Sequence, residues 1–143
     1  MDIVQSDAFA HEGKTIATVV PEHYRLGFLP RHLGRYMMRV EAVVYGHMGS
    51  LCSRYGGGFW EFYDLSNGGC YLASNRGAYA LAAPNGFEAA VSADVAGLIA
   101  SLYTFSHLVF KFETVEVLSD RFHQLREFAI EHAESQAILA AID

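Results

Sequence analysis

"GGGFWEFYDLSNGGCYLA", Gly56 to Ala73, is the stretch on which the fold turns. Three glycines lead into an aromatic block, and a second glycine pair follows at Gly68 and Gly69. Two readings compete. A phosphate cradle sets its glycines at the opening of a helix, so that backbone amides and the helix dipole converge on the anion. A hairpin sets them around a tight turn. Phe59–Tyr63 and Cys70–Ala73 are two short runs of strand formers. Between them "DLSNGG" supplies the Asp, Ser, Asn and Gly that a turn with positive φ requires. No Lys-Ser or Lys-Thr pair follows Gly58. The stretch therefore reads as a hairpin, and the glycines lead into a strand.

Downstream the pattern repeats. "PNG", Pro84–Gly86, is a second hairpin turn, between Tyr79–Ala82 and Phe87–Val91. Ser92 is placed to cap a helix, with Asp94 in its first turn. That helix runs from Ala93 to about Leu108. The charge-free run "VAGLIASLYTFSHLVF", Val95–Phe110, falls short of the ~20 apolar residues of a membrane span and carries Ser101, Thr104, Ser106 and His107. It reads as a buried helix. A further helix spans about Thr114–His132 with Leu118, Phe122, Leu125 and Ala129 inward, and Ser135 is placed to cap a short last helix.

Upstream, Thr15–Val20 is β-branched and reads as a strand ending at Pro21. Pro30 fits the first turn of a helix. From Arg35 to Cys52, Met37, Val40, Val44, Met48 and Leu51 share one helical face. The opposite face carries Arg35, Arg39, Ala42, Gly46 and Gly49. Each glycine costs about 1 kcal/mol in a helix interior, so a close neighbour, in this chain or a partner, is expected against Gly46 and Gly49. Residues 1–14 read as a loosely ordered start. The fold class is α+β: one compact domain over residues 15–143, with a small central antiparallel sheet surrounded by about four helices.

Composition limits function. The chain has 143 residues, is 52% hydrophobic, and carries 16 acidic against 10 basic residues, a net charge of −6. That is too apolar for a disordered chain and too acidic for general DNA binding through phosphate neutralisation. It is also no DNA mimic, because duplex DNA carries a charge every ~1.7 Å of its axis and the acids here alternate with bases. Two cysteines without C-x-x-C spacing, and an N-terminus without a basic-then-apolar leader, point to a reducing cytoplasm.

Chemistry is sparse. None of the seven histidines forms H-E-x-x-H or pairs with a cysteine at zinc spacing, so no metal is expected. Cys70 reads as a small buried hydrophobe in a strand, and Ser66 lacks the G-x-S-x-G elbow. Glu61 and Asp64, three apart on a strand, point to opposite faces. Two charged features remain. Arg31, Arg35 and Arg39 recur every four residues and form a positive stripe if Pro30 starts the helix, although Gly34 interrupts the run. The C-terminal third is acidic, with Glu131, Glu134 and Asp143 at its end.

"FLPRHLGRYMMRVEAVVYGHM", "YGGGFWEFYDLSNGGCYLA", "VSADVAGLIASL" and "DRFHQLREFAIEHAESQAILAAID" follow one another in this order. Together they resemble the ArdB/KlcA family of plasmid-borne antirestriction proteins, over nearly the whole chain from about Val20. The resemblance implies a small α+β protein without a cofactor or known catalytic residues. It implies a non-enzymatic inhibitor that relieves type I restriction–modification of incoming DNA in a bacterial cytoplasm. The implied partner is the type I restriction–modification complex, met directly or indirectly, with no membrane and no strong DNA binding. Candidate partner-binding residues are Arg31, Arg35 and Arg39, the turn residues Asp64 and Asn67, and Glu131, Glu134 and Asp143. Two rival functions use the same residues differently: a nucleic-acid binder working through the arginines, or a small enzyme using Cys70 or Ser66.

Overall fold

The computed structural model describes residues 14–75 and 77–143, with Met37 described by its backbone alone. The expected loose start lies, apart from Lys14, outside the described residues. In chain order the elements are β1 (Ala17–Val19), α1 (Arg25–Leu33), α2 (Met37–Leu51), β2 (Trp60–Leu65), β3 (Cys70–Ser74), β4 (Ala78–Ala82), β5 (Glu88–Ser92), α3 (Ala93–Lys111), α4 (Glu116–Glu131) and α5 (Ser135–Ile142). The expected α+β class holds, with two differences. The strands form two sheets, β1-β2-β3 and β4-β5, both antiparallel. The described residues form five α-helices rather than about four.

The centre of the molecule is a helix. In α3, Val95, Ala96, Leu98, Ile99, Ala100, Leu102, Phe105 and Leu108 are all buried. It packs against α2, α4, α5 and β3. A sheet of three short strands cannot cover a core from both sides, whereas a nineteen-residue helix without a charge between Asp94 and Lys111 can be enclosed all round. Ser92 caps it as expected, its Oγ accepting the Val95 amide at 3.2 Å. Gly97 lets α3 lie directly on β3: a Cβ there would stand 2.5 Å from the Leu72 carbonyl oxygen and nearer still to Ala73. Among the described residues the outer edge of β3 meets no strand. Instead the Ser101 hydroxyl accepts from the Leu72 amide at 3.2 Å and donates to its carbonyl at 3.3 Å.

Both predicted hairpins form. β2 pairs with β3 in the register Trp60↔Ser74, Phe62↔Leu72 and Asp64↔Cys70. Gly68 takes φ +96° in the turn. Gly69 is needed for a different reason: a Cβ there would sit 2.8 Å from Cβ of Gln124 on α4. The second hairpin turns at Gly86, φ +95°, and Asn85 ties it to the end of α5 through a 2.8 Å bond to the Ala140 carbonyl.

Two local expectations are corrected and a third is narrowed. Pro30 is the sixth residue of α1 rather than its opening. The proline that starts the helical segment is Pro21, whose carbonyl accepts the Tyr24 amide at 2.9 Å to form a 3-10 turn that runs into α1. Pro30 has no amide to give to the Leu26 carbonyl, and the defect is tolerable because Leu26 lies in solvent. Ser135 is the first residue of α5 but caps nothing; Glu134 precedes it, its amide bonded to Nδ1 of His132 at 2.9 Å. Finally, among the described residues no element packs on Gly46 or Gly49, which are exposed with nothing within 4 Å of where a Cβ would stand, so of the two expected neighbours the one within the chain is not found there. The buried face of α2 is as expected for Val40, Val44, Met48 and Leu51.

Candidate functional site

α1 runs along β2 and is joined to it at successive turns. Arg25 donates to the Trp60 carbonyl at 2.9 Å and forms an ion pair with Glu61. Phe28 meets Phe62 with ring centroids 4.9 Å apart. One turn on, Nε2 of His32 lies 2.6 Å from Asp64, which Arg31 also approaches at 3.1 Å. Burial lowers the His32 pKa, and this outweighs the hydrogen bond to Asp64, which raises it. Burial alone would raise Asp64, but its hydrogen bonds to His32 and Arg31 hold it below its ordinary value. The contact is thus a neutral imidazole donating to an ionised carboxylate. Arg121 of α4 closes the group, its Nε donating to the His32 carbonyl at 3.1 Å.

The hairpin turn is clamped in the same way. Asn67 donates to the Gln124 carbonyl at 2.9 Å, and Nε2 of Gln124 donates back to the Asn67 carbonyl at 3.1 Å. Asn67 also accepts from the Gly69 amide and reaches Glu127. Glu131 accepts the Thr15 amide at 2.7 Å. Asn67 and Glu131 thus line one polar groove, with Lys14, Ser66 and Glu127. Glu134 and Asp143 lie at the two ends of α5 and take no part in that groove.

The arginine stripe does not form on one helix. Gly34, at φ +55°, ends α1, and a 3-10 turn over Gly34–Tyr36 separates it from α2. Arg31 is engaged with Asp64, Arg35 stands over the Tyr36 ring and Arg39 over Phe112. All three remain exposed. The candidate nucleophiles are poorly placed. Cys70 is buried, and burial pushes its thiol up to about 12. Ser66 spends its hydroxyl oxygen on the Ile16 amide at 2.8 Å. His47 and His107 face each other across α2 and α3 with ring centroids 5.9 Å apart. Among the described residues, no group of three His, Cys, Asp or Glu is arranged to hold a metal.

Sequence reasoning missed the surface beside Arg25. The guanidinium lies 4.5 Å from the Phe59 ring and 5.2 Å from Phe62, with its Nε buried and unpartnered. Next to it a groove of about 290 Å³ opens between Leu26, Leu29 and Pro30 of α1 and Met38 of α2, with Phe62 and Glu41 also lining it. Of its lining, Leu26 is 95% exposed and Met38 74%; Phe59, whose ring the Arg25 guanidinium covers, is 56% exposed. The sequence pattern does not mark it. It works against detection: Leu26 stands three and seven residues before the buried Leu29 and Leu33 and shares their helical face, so the spacing reads it as a core residue.

Comparison with known proteins gives one consistent result. A family model described as "Antirestriction protein" matches residues 53–143. The antirestriction protein KlcA of Escherichia coli is 46% identical over 136 residues, covering 90% of this chain and 93% of KlcA. The uncharacterized protein YfjX of Escherichia coli K12 is 33% identical, covering 88% of this chain and 86% of YfjX. A solved chain at 44% identity superposes with a TM-score of 0.84, covering 90% of this chain and 95% of that one. It comes from work on KlcA and ArdB, described as showing a novel fold and antirestriction activity against type I DNA restriction systems in vivo but not in vitro.

Proposed function

The chain belongs to the antirestriction protein family that includes KlcA, and from that premise we propose that it relieves type I restriction of incoming DNA by binding rather than by catalysis. The observation that carries the reading is the match to KlcA and ArdB in sequence and in fold over nine-tenths of the chain. The chemistry supports the binding half of it. Cys70 is sealed from solvent with its thiol protonated, and the Ser66 oxygen accepts a backbone amide instead of facing a base. The partner is the type I restriction–modification complex in the cytoplasm, met directly or through a host component. The described relatives act in vivo but not in vitro, so a component of the cell belongs in the reading.

Within this proposal Arg31, Arg35 and Arg39 remain partner-facing, as separate cations around the α1–α2 junction instead of one stripe. Glu131 in the polar groove, and Glu134 and Asp143 at the two ends of α5, are exposed acidic partner-facing residues at separate places. Asp64 and Asn67 hold Arg31, His32 and Gln124 in position.

The test is the plating efficiency of unmodified phage on a type I restricting host, with and without the chain expressed. A large rise in efficiency is expected. No rise from soluble, folded protein would refute the functional reading. Cys70→Ala and Ser66→Ala are expected to keep the relief, and its loss in either with folding intact would restore the enzymatic reading.

A further inference from the structure

We propose that His47 and His107, facing each other across α2 and α3, form a binding site for a divalent transition-metal ion of the zinc, nickel and copper class. The inference is independent of the functional reading above. The two rings stand with centroids 5.9 Å apart and planes at 71°. A metal–imidazole bond is ~2.1 Å long and the ring centre lies beyond the nitrogen, so two imidazoles on one ion have centroids on the order of 5–6 Å apart. Among the described residues this is the only pair of histidine rings in contact. The two lie on different helices, so no sequence spacing announces them.

The nitrogens are available. Among the described residues neither ring forms a hydrogen bond, whereas His32 is bonded to Asp64 and His132 to the Glu134 amide. Tyr103, one helical turn before His107 on α3, stacks on His47 with centroids 5.8 Å apart, and its own hydroxyl donates to the Ala141 carbonyl. His47 is thus already positioned, which reduces the ordering that binding must offset. Burial lowers the His47 pKa and the neighbouring His107 lowers it further, so this ring is neutral at neutral pH, the form that ligates.

The donor set selects the ion. Among the described residues no carboxylate or thiol joins the pair as a third ligand. Mg2+ and Ca2+ require oxygen donors, whereas imidazole suits zinc, nickel and copper. Two protein ligands leave the other positions to water, and there is room for it. His47 borders a cavity of about 300 Å³ with Ser50 in its wall, and nothing lies within 4 Å of where a Cβ would stand at Gly46 or Gly49. The site is therefore open and exchangeable rather than a closed structural one.

Titration calorimetry at neutral pH measures Zn2+ uptake by the untagged parent chain, His47→Gln, His107→Gln and the control His23→Gln/His123→Gln, with Mg2+ as a second titrant. The parent and the control are expected to bind one equivalent of Zn2+, and each single substitution to weaken binding about tenfold or more. His107 is exposed, so His107→Gln removes a ligand without opening the core, and thermal unfolding without metal checks that both variants fold as the parent does. Zn2+ is also expected to raise the parent's unfolding midpoint, reversibly with a chelator, and to leave that of His107→Gln unmoved. No uptake by the parent overturns the proposal. So does uptake unchanged in both His47→Gln and His107→Gln, or uptake lost in His23→Gln/His123→Gln, which puts the ion elsewhere. Equal uptake of Mg2+ overturns it in favour of oxygen ligands.

Discussion

At Gly97 a side chain would collide with the backbone of β3, since its Cβ would stand 2.5 Å from the Leu72 carbonyl. Neither a buried helix nor a paired strand can give way cheaply, so Gly97→Ala is expected to destabilise by about 1–3 kcal/mol or more. A denaturation midpoint equal to the parent's would contradict that. Trp60 is buried with its indole N–H on the Tyr55 hydroxyl at 3.0 Å, and Trp60→Ala is expected to cost about 3–5 kcal/mol. His32 supplies a pH dependence. Burial lowers it, and burial together with the charge of His107 lowers His47. Unfolded, both bind protons from about pH 6.5 downward; folded, they bind them only at lower pH. In that window the unfolded chain holds more protons, so stability rises with pH. The urea midpoint is expected to fall between about pH 7 and about pH 5, and His32→Gln to flatten that fall. Asp64, held low, adds a further loss in stronger acid as pH drops through its folded value. An unchanged slope in His32→Gln would remove His32 from the account.

Elements meet through a few side chains that replace missing backbone partners. β3 ends its sheet, and Ser101 of α3 satisfies the Leu72 amide and carbonyl that a fourth strand would otherwise take. Ser101→Ala leaves a buried amide unpaired and is expected to cost about 1–3 kcal/mol, read from chemical denaturation. Ser101→Thr, which keeps the hydroxyl, separates the bond from the packing. The first hairpin is held in a similar way, its turn bonded in both directions to α4 through Asn67 and Gln124. The glycine pair therefore serves two elements at once. Gly68 supplies the positive φ, and Gly69 leaves room for Gln124 of α4, a neighbour far along the chain that local sequence does not announce.

On the scale of the molecule, both cysteines are buried in the core. A thiol reagent is expected to label neither until the chain unfolds, so labelling should track the unfolding transition; rapid labelling of native Cys70 would contradict its burial. Charge is also divided on this scale. The helical segment before β2 is positive and the C-terminal third is negative. The apolar groove lies between α1 and α2, and its charged lining is Arg25, paired with Glu61, and Glu41.

Local chemistry determined the two hairpins, the Ser92 cap, the buried run of α3 and the inward faces of α2 and α4. Each depends on residues within about a dozen positions, through turn φ angles, capping and helical periodicity. The same reach located the family, because its motifs lie in unbroken order along the chain. What local sequence could not decide was which contacts are made between elements. Pro21 rather than Pro30 opens the first helical segment because α1 must extend back to Arg25 to meet Glu61. The arginines part company because Gly34 turns the chain between two helices that pack on different neighbours. The sheet divides, and α3 takes the centre, because strands this short cannot enclose a core. Leu26, Met38 and Phe59 became a surface only once α1 was laid along β2, since exposure is a property of packed neighbours and not of the residue itself.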